Sequence, residues 1–246
     1  MRTGLILLVG ALGFASGLRA VSMPAAGRPV RLAIIGDSTV CNYPKDPIRR
    51  GWGMYIQGYF DPARLVVENL ALSGRSTRTF VTEGHWAAAL AWKPDYVLIQ
   101  FGHNDSHGAG HPEATDAATS YREFLRQYID QARAIGARPI LVTPMCRRNF
   151  GPDGRIRNEL LPYVEAMKAV AAERGVPLID LNAASVELCD RLGPAGSLAL
   201  ANDPRDATHF CARGAREMAR LVMERLPVAE PSLRMFEAGT AVAAKP

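Results

Sequence analysis

Five short apolar runs, at residues 32–35, 65–68, 96–101, 139–143 and 177–180, alternate along the chain with stretches that carry helical spacing. Tyr121, Phe124, Leu125, Tyr128, Ile129 and Ala132 recur at i, i+3, i+4, i+7, i+8 and i+11, one face of a long helix. Leu160, Val164, Met167, Val170 and Ala171 repeat the pattern, as do Ala215, Met218, Val222 and Leu226. Strand–helix alternation at this pitch argues for parallel pairing, with right-handed crossovers that put helices on both faces. The expectation is one three-layer α/β domain. At 246 residues, 48% of them hydrophobic, the chain can bury such a core as a single unit. Its expected bounds are residues 30–227. Beyond them periodicity is lost around Pro227 and Pro231, so residues 228–246 read as a partly ordered C-terminal extension.

Ahead of the domain, Arg2, an apolar run over residues 5–14 and the small residues Ala15, Ser16, Gly17 and Ala20 read as a secretory signal spanning residues 1–20. The run is too short to cross a bilayer. The expected location is therefore secreted or periplasmic, without stable membrane insertion once the signal is removed. Four cysteines, Cys41, Cys146, Cys189 and Cys211, permit two disulfides in three connectivities, or buried free thiols. The net charge of +5 is spread along the chain with no dense basic block, which argues against a nucleic-acid partner. An acidic polymer suits the same charge.

Small polar motifs follow three consecutive strands directly. Gly36-Asp37-Ser38 comes after the first, the stretch from Asn69 to Arg75 after the second, and Gly102-His103-Asn104-Asp105 after the third. In a parallel sheet all strand C-termini share one edge, so these loops converge on one crevice. Taken alone, this stretch reads more readily as an ordinary helix N-cap at Asp37 or Ser38 than as a nucleophile. A helix starting at this turn would add the positive end of its dipole to the setting. Near the C-terminus, Asp206 stands three residues ahead of His209. At that spacing a carboxylate can accept the Nδ1 proton and leave Nε2 free as a base. His103, Asp105, His107 and His111 share a histidine-rich loop, but its glycines promise no convergent ligand geometry, so neither metal nor cofactor is expected. Asp37 is expected to hold its turn by hydrogen bonding.

These motifs resemble the SGNH (GDSL-type) hydrolases over roughly residues 31–226, with the four family residues falling on Ser38 in IIGDST, Gly74 in NLALSGRST, Asn104 in QFGHND and His209 in DATHF. Within that superfamily the chain looks like the rhamnogalacturonan acetylesterase branch, through GDSTVCNYP, GWGMYI, NLALSGRSTRTF, EGHW, VLIQFGHND, VTPMCRR and VPLIDL. Cys41, Cys211 and the SHGAGH loop depart from that branch. The resemblance implies a flavodoxin-like five-stranded parallel sheet. It also implies Ser38 as nucleophile, His209 as base and then acid, Asp206 orienting it, and an oxyanion hole from the Ser38 and Gly74 amides with the Asn104 side chain. The implied substrate is an acetylated plant cell-wall polysaccharide, most closely pectic rhamnogalacturonan. Arg75, Arg78, His103 and Arg148, with Arg147, are candidate substrate contacts for an anionic polymer. Two other readings remain at this point: a short-chain lipase or thioesterase of the same superfamily, and a glycan-binding protein of the same fold without catalysis. No G-x-S-x-G, G-x-G-x-x-G or Walker A motif occurs, which argues against an ordinary α/β-hydrolase or a nucleotide site.

Overall fold

A computed structural model describes residues 27–238; the signal segment expected over residues 1–20 lies outside them. Five parallel strands form the sheet: β1 (Val30–Gly36), β2 (Leu65–Asn69), β3 (Tyr96–Gln100), β4 (Arg138–Val142) and β5 (Leu178–Ile179). Their order is β2-β1-β3-β4-β5, the doubly wound order of flavodoxin-like proteins. In register, Ile34 of β1 lies between Asn69 and Leu98, and Ile99 of β3 lies opposite Leu141.

Side-chain alternation divides the core in two. Leu32, Ile34, Leu98, Ile140 and Val142 point to one face, while Ala33, Ile35, Val97, Ile99 and Leu141 point to the other. The second face is covered by α1 (Thr77–Thr82), α2 (His85–Ala91), α3 (Ser120–Ala134) and α4 (Leu161–Arg174), which bring Phe80, Trp86, Tyr121, Tyr128 and Met167. The first is covered by α5 (Leu181–Ser197), α6 (Ala212–Ala229) and a 3-10 helix, Trp52–Tyr59. The three-layer expectation holds.

Helices α1, α2 and α5 have no counterpart in the periodicity. α1 is only six residues long and depends on a capping box between Ser76 and Thr79. α5 is capped by Asp180, which accepts from the Ala183 amide, but Gly193 (φ 67°) and Pro194 interrupt it before Ser197.

Of the C-terminal extension expected over residues 228–246, the structure describes residues 228–238, which pack against the domain. α6 runs on to Ala229, and Pro231–Phe236 forms a further 3-10 helix whose Leu233 and Phe236 are buried. Buried Glu230 pairs with Arg138 at 2.7 Å, the Tyr96 hydroxyl hydrogen-bonds Ser232 at 2.8 Å, and the Ala238 amide donates to the Tyr59 carbonyl. Pro227 lies in the last turn of α6, where it leaves the Met223 carbonyl without its helical donor, yet the helix runs on past it to Ala229.

Candidate active site

The strand C-termini meet at the switch point between β1 and β3. Gly36 closes β1 where a Cβ would stand 2.6 Å from the Gln100 carbonyl oxygen, so a side chain there would push β1 and β3 apart. The chain then turns tightly. Asp37 Oδ1 accepts from the Thr39 amide (2.9 Å) and hydroxyl (2.7 Å), and the Val40 and Cys41 amides return to the Asp37 carbonyl. This turn replaces the helix start expected at Ser38, so no helix dipole acts on the hydroxyl. Asp37 does hold its turn by hydrogen bonding. Burial opposes its charge, yet the His103 imidazole and the Thr39 donors outweigh that cost and hold the carboxyl below its usual range.

Ser38 is hydrogen-bonded to the far end of the chain. His209 Nε2 lies 2.9 Å from Ser38 Oγ, and His209 Nδ1 lies 2.8 Å from Asp206 Oδ2. The other Asp206 oxygen accepts from the amides of Thr208 (2.8 Å) and His209 (2.9 Å). Burial works against ionisation of Asp206, but these two amides and the imidazole prevail and hold its carboxyl at about 2. A carboxylate that stays charged there keeps the proton on Nδ1 and leaves Nε2 as the acceptor facing Ser38. The Tyr43 hydroxyl, which the sequence did not single out, donates to the Ser38 carbonyl at 2.7 Å.

The other two loops join the end of β1 and each other. The Leu72 amide donates to the Gly36 carbonyl, and Asn104 Nδ2 donates to the Arg75 carbonyl at 2.8 Å, setting Asn104 against the Gly74 turn. Gly74 adopts φ +79°, a left-handed conformation that favours glycine. Its reason for being glycine is that angle, since a Cβ would meet open space. Buried Asp105 accepts from the amide and hydroxyl of Thr77 and the hydroxyl of Thr115; burial, working against those donors, pushes it up to about 6.

The candidate substrate contacts divide. Arg75 borders an open cleft with Tyr43, Lys45, Leu72 and Ser73, although its guanidinium is paired with Glu83 at 2.8 Å. Arg78 is half-buried on α1. His103 and Arg148 are about as buried as Ser38 itself, at 2% and 8% exposure against 6%. His103 Nδ1 stands 3.4 Å from Asp37, and Arg148 lies under the Asp206–His209 segment. Half-buried Arg147 contacts the His103 carbonyl and the Thr208 hydroxyl. Among the described residues, His107, His111 and Glu113 bring ligand atoms within 4.8 Å of one another on the surface. The 2.6 Å contact from His107 to Glu113 is a complete hydrogen bond in itself. All four cysteines are unpaired thiols.

A model of the GDSL-like lipase/acylhydrolase family matches residues 34–217. Rhamnogalacturonan acetylesterase RhgT of Bacillus subtilis is 39% identical over 212 residues, covering 80% of this chain and 89% of that protein. A probable rhamnogalacturonan acetylesterase of the same organism, YesY, is 38% identical, covering 77% and 88%. The crystal structure of Bacillus subtilis YxiM superposes with a TM-score of 0.71 at 32% identity, covering 81% of this chain and 56% of that one.

Proposed function

The chain belongs to the GDSL-like lipase/acylhydrolase family and is a carboxylic ester hydrolase; on that premise we propose that it is a serine acetylesterase acting on acetylated plant cell-wall polysaccharide, most closely pectic rhamnogalacturonan. The observation that carries the reading is the unbroken hydrogen-bonded chain from Ser38 Oγ through His209 to Asp206, with contacts of 2.9 and 2.8 Å. Ser38 Oγ attacks the acetyl carbonyl as His209 Nε2 takes its proton. The negative oxygen that develops is received by the Ser38 and Gly74 amides and by the second N–H of the Asn104 amide. Collapse expels the sugar alcohol, protonated by His209, and leaves acetyl-Ser38. Water deprotonated by the same imidazole then attacks the acyl group and releases acetate. The apolar run near the N-terminus supports a secreted or periplasmic home, where the polymer would be met.

The test is hydrolysis of p-nitrophenyl acetate by wild type and Ser38→Ala, followed by acetate release from acetylated rhamnogalacturonan and acetylated xylan. Ser38→Ala is expected to lose at least ~10³-fold in kcat. Acetyl esters should turn over faster than octanoyl esters, and the pectic polymer faster than xylan. Equal rates in wild type and Ser38→Ala would remove the nucleophile assignment, and faster octanoyl turnover would favour a lipase.

A further inference from the structure

His209 and Asp206 lie on a loop before α6, away from the strand ends that place Ser38, Gly74 and Asn104. Something other than the sheet must therefore set the distance from the imidazole to the hydroxyl. The loop after β4 supplies two arginines. Arg148 Nη2 donates to the Asp206 carbonyl at 2.8 Å and to the His209 carbonyl at 2.7 Å, and its own amide donates to the Ala207 carbonyl at 2.8 Å. Its guanidinium stacks over Phe210, 4.6 Å from the ring centre. Arg147 reaches the other way: Nη1 donates to Thr208 Oγ1 (3.2 Å), while Nη2 donates to the His103 carbonyl (2.9 Å) and to Ser106 Oγ (3.3 Å). One arginine thus grips the main chain at both Asp206 and His209. The other ties that segment to the loop that bears Asn104.

We propose that Arg147 and Arg148 are positioning residues, a tandem clamp that holds the Asp206–His209 segment in register with Ser38 and the Asn104 loop. The assignment rests on the Ser38–His209–Asp206 relay. A buried cation is costly without a partner, and here its hydrogen bonds go to main-chain carbonyls instead of a carboxylate. A role in geometry accounts for that cost. Small displacements of a general base reduce rate steeply, whereas ester binding is hardly affected.

The experiment measures kcat and KM on p-nitrophenyl acetate, which carries no sugar, and on acetylated rhamnogalacturonan. Arg148→Met is expected to lower kcat on the small ester by ~10–100-fold with KM within about twofold. Arg148→Lys should recover part of the loss, and Arg147→Gln should cost severalfold. In a His209→Ala background Arg148→Met should cost nothing further, because it acts through the imidazole. That non-additivity separates positioning from general destabilisation. Folded Arg148→Met with wild-type kcat would overturn the clamp, as would a loss confined to KM on the polymer, the signature of a substrate contact. If Arg148→Met does not fold, Arg148→Lys and Arg147→Gln carry the test, and wild-type kcat in both overturns it. Ser38→Ala measured alongside separates the failures: a wild-type rate there removes the relay itself.

Discussion

At the scale of single residues, the site is governed by which groups stay charged when buried. Asp206 is held at about 2 by two amides and an imidazole, against an ordinary value of 3.8. Its folded state therefore binds protons more weakly than the unfolded chain does. The stability it contributes is full above the ordinary carboxylate value and is lost as pH falls through about 2. Asp206→Asn should accordingly be less stable than wild type at pH 6, with the gap narrowing on acidification from about pH 4 to about pH 2. Urea unfolding at each pH checks this, and a gap independent of pH would contradict it. Asp105 is the opposite case: with Thr77 and Thr115 as neutral partners, burial raises it to about 6. Two aspartates beside the same crevice thus differ first in burial, complete at Asp105 and partial at Asp206, and then in the two amides and the imidazole that Asp206 gathers.

At the scale of elements, the two edges of the sheet carry different work. Ser38, Gly74 and Asn104 follow the C-terminal ends of β1, β2 and β3, whereas the tail beyond α6 is fastened to the opposite edge. Its anchors, Tyr96 and Arg138, are the first residues of β3 and β4. Phe236→Ala should therefore lower unfolding free energy by about 3 kcal/mol, as for a buried aromatic replaced by alanine. It should leave kcat on p-nitrophenyl acetate unchanged well below Tm. A fall in kcat without a fall in stability would mean that the two edges communicate. The short helices follow the same division: α1 is capped by Ser76, two residues after Gly74, and its Thr77 amide and hydroxyl bind Asp105 beside Asn104. It braces the site while adding one buried aromatic, Phe80, to the core.

Across the whole molecule, a net charge of +5 favours encounter with an anionic polymer without any single arginine having to bind it. Raising salt from about 50 to about 500 mM should then raise KM for acetylated rhamnogalacturonan and leave p-nitrophenyl acetate unaffected, since screening acts on long-range attraction. A flat KM on the polymer would remove charge from the account of selectivity. The strands, α3, α4 and α6 were legible because apolar periodicity is local and repeats often enough to be read. Likewise, motifs placed immediately after strands had to share one edge once the pairing was parallel. Helices α1 and α5 were not, one being a single capped turn and a half and the other broken at Gly193-Pro194. Arg148 and His103 read as candidate substrate contacts on loops, and nothing in their neighbours along the chain tells that both are largely buried. Amino-acid order alone determined the layered fold and the side of the sheet on which Ser38, Gly74 and Asn104 stand. Tertiary packing decided which charges went inside, because burial depends on segments more than fifty residues apart in sequence closing over one another, as residues 147–148 and 206–209 do.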